Sequence, residues 1–153
     1  ANANSTTLCL SKGLGAPVGS LLAGEVDFIH EARRARKAFG GGMRQAGILA
    51  AAGLLAVKEG PALLARDHQR AKVLASGLAE LPWATVDVSA TDSNIVMLEP
   101  GQAAVQPLLQ QLADGGVRAS LASPTRIRFV LHRDLDDECV QRCLTICRSF
   151  SAS

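Results

Sequence analysis

At 153 residues, the chain is long enough for one domain or two small ones. Hydrophobic residues make up 48% of the sequence and charged residues 20%, which is typical of a globular protein and argues against a disordered or acidic-tail protein. The net charge is only +2, and the sequence contains one Trp, four Phe and no Tyr. A concentrated basic surface and a base-stacking platform are therefore not indicated, and we expect no nucleic-acid partner.

No segment predicts membrane insertion or secretion. The apolar run 46–57 is shorter than a bilayer-spanning helix, and residues 1–7 lack the charged and apolar regions of a signal peptide. Cys139, Cys143 and Cys147 repeat every four residues, which predicts one helix face with reduced, partly buried thiols rather than a disulfide framework or a metal site. We therefore expect a cytoplasmic protein with no membrane partner and no metal.

The first sixty residues predict two strands and two helices. Short strands are predicted over 8–10 and 17–24, on either side of a glycine-containing turn. A helix is predicted over 26–38, where a basic last turn complements the negative end of the helix dipole and the glycine run 40–42 ends it. The residues 43–58 predict a second helix, apolar on nearly every side and therefore buried, whose two glycines mark close backbone contacts.

The rest of the chain predicts a long helix followed by a small α+β domain. The helix begins at 60–61, with proline in its first turn, and extends to about residue 81. We expect it to link two domains, with its charged residues, Asp67 among them, facing water. Beyond it the order strand-strand-helix-strand-strand-helix predicts a sheet with helices on one face. The predicted strands are 85–88, 95–98, 117–121 and 127–131, and the predicted helices are 102–114 and 136–150.

Lys12 is the first candidate for chemistry, because it follows the first strand in a turn with two glycines. We expect this lysine to be partly desolvated, which favours the neutral amine that condenses with an aldehyde. Glycines let a flat ring approach the backbone closely. The alternative is an exposed lysine in a turn, and the spacing alone favours that alternative.

Two further basic positions each allow two interpretations. The glycine run 40–42 could offer backbone N–H groups to an anion at a helix start, with Arg44 adding a charge-assisted bond to phosphate, or it could be a flexible connector with solvated cations. Arg128 alternates with Ile127 and Phe129 on a predicted strand, so it projects to the polar face, where it either binds an anion or meets solvent.

Long motifs then indicate a family. Residues 11–20, SKGLGAPVGS, resemble the cofactor-lysine segment of the low-specificity L-threonine aldolases, which are fold-type-I enzymes that use pyridoxal 5'-phosphate. Residues 36–45, RKAFGGGMRQ, are similar to that family's RK-x-x-GGGMRQ block. Ser93–Asn94 resembles the pair before a late strand, and 128–132 resembles the R-[LF]-V-T-H strand, with Leu131 where threonine is usual.

The resemblance implies an α/β fold in which 1–60 is the end of the large domain of a fold-type-I transferase. A linking helix then covers 61–82 and a small α+β C-terminal domain covers 83–153. It implies an aldehyde-lyase that cleaves L-threonine and L-allo-threonine to glycine and acetaldehyde by retro-aldol chemistry, in threonine catabolism and glycine biosynthesis. It also implies a homo-oligomer.

The resemblance also implies roles for four residues. Lys12 is the lysine that carries the pyridoxal 5'-phosphate, Arg44 lies near the cofactor phosphate, and Lys37 lies close to the same site. Arg128 grips the α-carboxylate of the substrate, which fixes the Cα bond that stands perpendicular to the cofactor ring. The resemblance implies no metal ligand.

The family's phosphate loop, ring-stacking histidine and pyridine-pairing aspartate belong to an N-terminal portion that these 153 residues do not match. We expect that portion to be present in another chain or missing. Two alternatives are a non-catalytic partner chain that completes an assembly and another fold-type-I lyase, such as a β-eliminating lyase. The GGGMRQ block at 40–45 argues against the latter.

Overall fold

The computed structural model describes residues 3–151 and divides the chain into two compact units, Ala1–Leu63 and Leu64–Ser153. In the first unit, strand β1 (Ser5–Cys9) pairs antiparallel with strand β2 (Ser20–Gly24). The turn between them is closed by the Leu10 N–H, which donates to the Gly19 carbonyl at 2.9 Å. The predicted strand-turn-strand pattern is confirmed, with both strands displaced by a few residues.

Helix α1 (Val26–Ala38) has the predicted bounds and ends at the glycine run. Gly40 adopts φ +79°, a conformation that favours glycine. The Gly41 N–H donates to the Arg36 carbonyl at 2.8 Å and the Gly40 N–H to the Lys37 carbonyl at 3.1 Å. This pair of bonds is a Schellman motif, which satisfies the last carbonyls of the helix.

Helix α2 (Gly47–Ala79) replaces the two helices predicted over 43–58 and 60–81. Pro61 lies inside this helix, so the expectation that it begins a new one is wrong. Proline costs a helix interior about 3 kcal/mol through a lost hydrogen bond and a steric clash, and Gly60 before it adds about 1 kcal/mol. The alanines and leucines on the two sides of this pair are strong helix formers, and the helix continues through it. The start is also later than predicted, because Gln45 adopts φ +50° and interrupts helical geometry.

The first half of α2 is exposed in this chain, where the sequence predicted burial. Ile48 is 85% exposed and Leu54 is 73% exposed. By length and composition α2 could cross a membrane, since one 18-residue window has a mean hydropathy of 1.6 and is 17% buried. The length argument made for 46–57 therefore does not hold, although helices of soluble proteins meet the same criterion.

The second unit contains a three-stranded antiparallel sheet in the order β3-β5-β4. Its strands are β3 (Ile95–Leu98), β4 (Ser120–Ser123) and β5 (Arg126–Val130), and its helices after α2 are α3 (Val105–Asp114), preceded by the 3₁₀ turn Gln102–Ala104, and α4 (Asp137–Arg148). The small α+β arrangement predicted from the sequence is confirmed.

The strand predicted over 85–88 is wrong beyond a single bridge between Thr85 and Glu99. The Asp87 carboxylate accepts from Ser89 Oγ at 2.6 Å and from the Ala90 N–H at 3.1 Å. These local side-chain bonds give the backbone a turn in place of a sheet ladder.

The core of the second unit lies between the sheet and helices α2, α3 and α4. Asp67 belongs to the buried stripe of α2, four residues before Ala71, although the sequence predicted that it faces water. It is 1% exposed, and neither carboxylate oxygen has a hydrogen-bond partner within the described part of the chain. The largest fully buried apolar residues are Leu74, Leu78, Leu98, Leu108, Leu112, Ile127, Val96 and Val105.

Gly77 supplies a test of the α2–α4 packing. A Cβ at this position would lie 2.7 Å from Cδ2 and 2.8 Å from Cδ1 of Leu144, which is 3% exposed and has little room to move. We expect Gly77→Ala to lower the free energy of unfolding by about 1–3 kcal/mol through overpacking, despite the better helix propensity of alanine. Urea denaturation of the protein that carries this chain measures the effect.

The expectation that Gly47 marks a close backbone contact is wrong within the described residues, because nothing lies within 4 Å of a Cβ added there. Ser76→Ala is the matched control for Gly77→Ala, because Ser76 is the exposed neighbour of Gly77 in the same helix. We expect the control to change stability by less than about 0.5 kcal/mol or to be stabilising. Equal destabilisation by the two variants would contradict the packing argument.

Candidate functional site

Lys12 lies in the turn between β1 and β2, where its carbonyl accepts from the Gly15 N–H at 2.8 Å. The apolar residues of this turn, Leu10, Leu14 and Ala16, are all buried, and Leu10 and Leu14 pack against Gly53 and Gly60 of α2. Lys12 itself is exposed, so the expected partial desolvation is not provided by this chain. Since the apolar neighbours hold the backbone rather than cover the amine, the turn presents the Lys12 side chain outward.

Cys9 is a neighbour of Lys12 that the sequence reasoning missed. Its Sγ lies 3.6 Å from the Ser11 Oγ at the end of β1. The hydrogen bond with Ser11 lowers the pKa of the Cys9 thiol, and the positive charge of Lys12 lowers it further. The C-x-S-K spacing is the signal that would have indicated it, because it places a thiol, a hydroxyl and an amine at one strand end.

The glycine run places Lys37 close to the backbone of the loop that follows α1. A Cβ at Gly42 would lie 2.8 Å from Lys37 Cδ and 3.5 Å from Lys37 Nζ, so the absence of a side chain lets Lys37 lie across this loop. The backbone N–H groups of Gly40 and Gly41 donate to carbonyls of α1. The interpretation of the run as a backbone anion cradle is therefore wrong for these two groups.

Arg44 is exposed in a bend that precedes Gly47, the first residue of α2. The expectation that Arg44 lies one turn inside a helix is wrong, because the positive φ of Gln45 delays the helix. Lys37 and Arg44 thus lie on either side of the glycine run. Across residues 3–151, no hydrogen bond or ion pair joins Lys12 to Lys37 or Arg44.

Arg128 lies on the exposed face of β5, opposite Ser120 of β4 and Met97 of β3. Its Nε donates to the Ser120 Oγ at 3.3 Å. Arg126 shares this face and forms an ion pair with Glu99, whereas Arg128 has no carboxylate partner in the described part of the chain. The predicted alternation is confirmed, and the Arg128 guanidinium retains donors for an external anion.

The two late sequence motifs contact each other at the end of the same sheet. Asn94 Nδ2 donates to the Leu131 carbonyl at 2.6 Å, and the Leu131 N–H donates to the Asn94 carbonyl at 2.8 Å. These bonds fix the end of β5 against the start of β3. Asn94 therefore has a structural role that supports the strand on which Arg128 lies.

Known proteins are similar in sequence to nearly the whole of this chain. Residues 1–100 match the family model described as beta-eliminating lyase. The low specificity L-threonine aldolase of Escherichia coli strain K12 is 43% identical over 97% of this chain and 43% of its own length. The probable low-specificity L-threonine aldolase 2 of Arabidopsis thaliana is 42% identical over 94% of this chain and 41% of its own length. The chain therefore spans less than half the length of these relatives.

Solved structures match over nearly the whole chain. A putative L-allo-threonine aldolase from Listeria monocytogenes EGD-E has a TM-score of 0.70 at 18% identity, over 94% of this chain and 44% of that chain. A putative aromatic amino acid beta-eliminating lyase/threonine aldolase from Exiguobacterium sp. 255-15 has a TM-score of 0.73 at 20% identity, over 95% and 44%. The predicted fold, the latter part of a fold-type-I enzyme, is confirmed. With well over half of its residues matched by one family model, the chain belongs to the beta-eliminating lyase family.

Proposed function

We propose that this chain is the C-terminal portion of a pyridoxal 5'-phosphate-dependent threonine aldolase that cleaves L-threonine and L-allo-threonine to glycine and acetaldehyde. The observation that carries the proposal is the identity of 42–43% to proteins named low-specificity L-threonine aldolase, over at least 94% of the chain. The family description alone fits β-elimination equally well. The names of the relatives favour aldol cleavage.

The residues present fit the chemistry of pyridoxal 5'-phosphate, which carries an aldehyde and a phosphate. Lys12 offers an exposed amine in a turn that contains Gly13 and Gly15. Lys37 and Arg44 offer two cations beside the glycine run, and side-chain cations bind phosphate where backbone donors are already used. When bound, the cofactor ring accepts the electron pair released at the substrate Cα.

The chain's own residues then have three roles. Lys12 would hold the cofactor aldehyde through its Nζ. Lys37 and Arg44 bind the phosphate by charge. Arg128 binds the substrate α-carboxylate through two parallel N–H donors, which fixes the rotation about Cα and selects the Cα–Cβ bond for cleavage.

Cleavage takes the proton from the β-hydroxyl, breaks the Cα–Cβ bond and releases acetaldehyde, after which Cα is protonated to give glycine. We propose no residue of this chain as the base that takes the β-hydroxyl proton. Such a reaction consumes threonine and supplies glycine, so we place the protein in threonine catabolism and glycine biosynthesis. We further propose that the protein is soluble and cytoplasmic.

We also propose the domain assignment: 1–60 as the end of the large domain, 61–82 as a linking helix and 83–153 as the small domain. The exposed apolar surface of α2 supports the proposal that the segment 1–60 packs against another part of the enzyme. Its exposed residues need cover from the N-terminal portion of the enzyme, in the same or another chain, and from further copies in a homo-oligomer. This apolar surface comprises Ile48, Leu54, Leu55 and Val57.

Borohydride reduction tests the role of Lys12. We expect reduction of the cofactor-loaded protein to fix the cofactor on the tryptic peptide that contains Lys12, as measured by peptide mass spectrometry. Lys12→Ala should abolish the label and lower turnover on the order of a thousandfold or more, because a covalent catalytic group is lost. Lys58→Ala, which removes an exposed lysine of α2, is the control and should retain both. Label on another lysine would overturn the assignment.

Arg128→Lys tests carboxylate binding, because a point charge replaces the planar fork. We expect the cofactor absorbance to be unchanged and kcat/KM for threonine to fall by about 30- to 900-fold, which corresponds to about 2–4 kcal/mol. Arg126→Lys is the matched control, because Arg126 lies on the same face of β5 and is already paired with Glu99. Unchanged steady-state kinetics of Arg128→Lys, or an equal loss in the control, would make Arg128 structural.

Leu54→Lys tests the apolar surface of α2. Burying a leucine stabilises an interface by about 1.5–3 kcal/mol, and a buried lysine adds a desolvation cost, so we expect at least about tenfold weaker assembly. Sedimentation over a concentration series measures it. Leu121→Lys, at an exposed leucine of β4, should leave assembly unchanged. If the wild-type protein sediments as a monomer, the proposed homo-oligomer is wrong. If Leu54→Lys assembles like the wild type, the proposed role of this surface in assembly is wrong.

A further inference from the structure

A cavity of about 320 Å³ opens in the second unit, beside α4 and the helix-facing side of the sheet. Its volume is within the lower range of small-molecule sites. Phe129 and Leu131 face it from the β5 side, and Val140 faces it from α4. The apolar residues that line the cavity are Leu74, Val117, Phe129, Val130, Leu131, Leu135 and Val140.

The charged side chains that line the cavity are two arginines. Arg118, His132 and Arg142 line it, and none of its lining residues is acidic. Arg142 Nη1 lies 3.9 Å from the position of a Cβ on Gly116, so this guanidinium lies over the glycine at the cavity edge. Within the described residues, neither arginine forms an ion pair, and His132 Nδ1 lies 3.6 Å from the Asp134 carboxylate.

The thiols of Cys139 and Cys143 complete the cavity wall, and the Cys143 thiol is neutral. Cys143 is buried, and its hydrogen bond with Cys147 together with burial raises its pKa well above the ordinary thiol range. Cys139 is exposed one turn earlier on α4 and also lines the cavity. The cavity therefore joins apolar walls to an edge that carries two arginines, and the exposed thiol of Cys139 at this edge can report occupancy.

We propose that this cavity binds an amphiphilic monocarboxylate, with its apolar chain or ring inside and its carboxylate on Arg118 and Arg142. The apolar wall disfavours a fully polar ligand, and two guanidinium groups with no carboxylate among the lining residues disfavour a cation. At about 30 Å³ for each water-sized group, the cavity accommodates roughly ten non-hydrogen atoms. Threonine has a single methyl group as its apolar part, so the inference goes beyond the proposed reaction and does not depend on it.

Octanoate is the probe, used with the protein that carries this chain. We expect one octanoate bound per chain in calorimetry, and at saturation we expect alkylation of Cys139 by N-ethylmaleimide to slow about fivefold or more, because a bound ligand excludes reagent and water. Alkylation of Cys9 should not change, since Cys9 lies in the first unit. Octylammonium should bind at least about tenfold more weakly, because the two arginines repel its charge.

Arg118→Gln and Arg142→Gln should each weaken octanoate binding about tenfold, the scale of one charge-assisted hydrogen bond. Arg148→Gln is the control, because Arg148 lies on the same helix and does not line this cavity. Because all three side chains are exposed, thermal unfolding should be unchanged in each variant. Val117→Trp, which fills the cavity from its apolar wall, should also abolish protection of Cys139.

Three results would overturn the proposal. They are no saturable octanoate binding, binding that leaves Cys139 unprotected, and weakening by Arg148→Gln equal to that by Arg142→Gln. Octanol that binds as tightly as octanoate would show simple apolar partitioning and would also overturn it. The Cys139 footprint on the unaltered protein keeps the test valid if any variant fails to fold.

Discussion

The alternation of side chains along β5 is the constraint on which the second unit depends. Ile127 is fully buried and Phe129 is 4% exposed, so both anchor the central strand against the helices. Arg126 and Arg128 consequently face outward, and a slip of one residue would bury two guanidinium groups in place of two apolar side chains. The cost of that exchange fixes the register, and the register sets Ser120 opposite Arg128. The outward position of Arg128, on which the proposed carboxylate binding depends, is thus a consequence of how the core selects one face of the strand.

Periodic segments were predictable from the sequence, and segments decided by local bonds were not. Helix α1 and strand β3 have the predicted bounds, because their periodicity and end signals agree. The strand over 85–88 failed because Asp87 forms bonds to its own turn, a competition that hydrophobic pattern does not report. The prediction that a helix begins at Pro61 was wrong because proline, a residue typical of a helix start, here lies inside a helix.

The positions of the candidate site residues were predictable from the sequence, whereas their surroundings were not. The motifs identified Lys12 and Arg128 as a lysine after a strand and an arginine within one, and their positions follow from strand geometry. The exposure of Lys12 could not be read from its apolar neighbours, because those neighbours pack beneath the turn. An anion cradle was one of two interpretations of the glycine run, and the N–H groups of Gly40 and Gly41 instead complete the end of α1. The phosphate binding proposed for this loop therefore rests mainly on the side-chain cations Lys37 and Arg44 rather than on the N–H groups of Gly40 and Gly41.

An arginine on a surface is by itself a weak sign of a site, because water solvates it well. Arg34, Arg70 and Arg126 each have a carboxylate partner in this structure, which accounts for them without a ligand. Arg128 has no such partner in the described residues, and an exposed apolar side chain, Met97, lies opposite it. A guanidinium beside apolar surface binds a carboxylate more strongly once water is excluded, because the effective dielectric falls. Arg118 and Arg142 meet the same condition at the edge of an apolar cavity. An apolar neighbourhood is therefore what the two proposed carboxylate sites, at Arg128 and at Arg118 with Arg142, have in common.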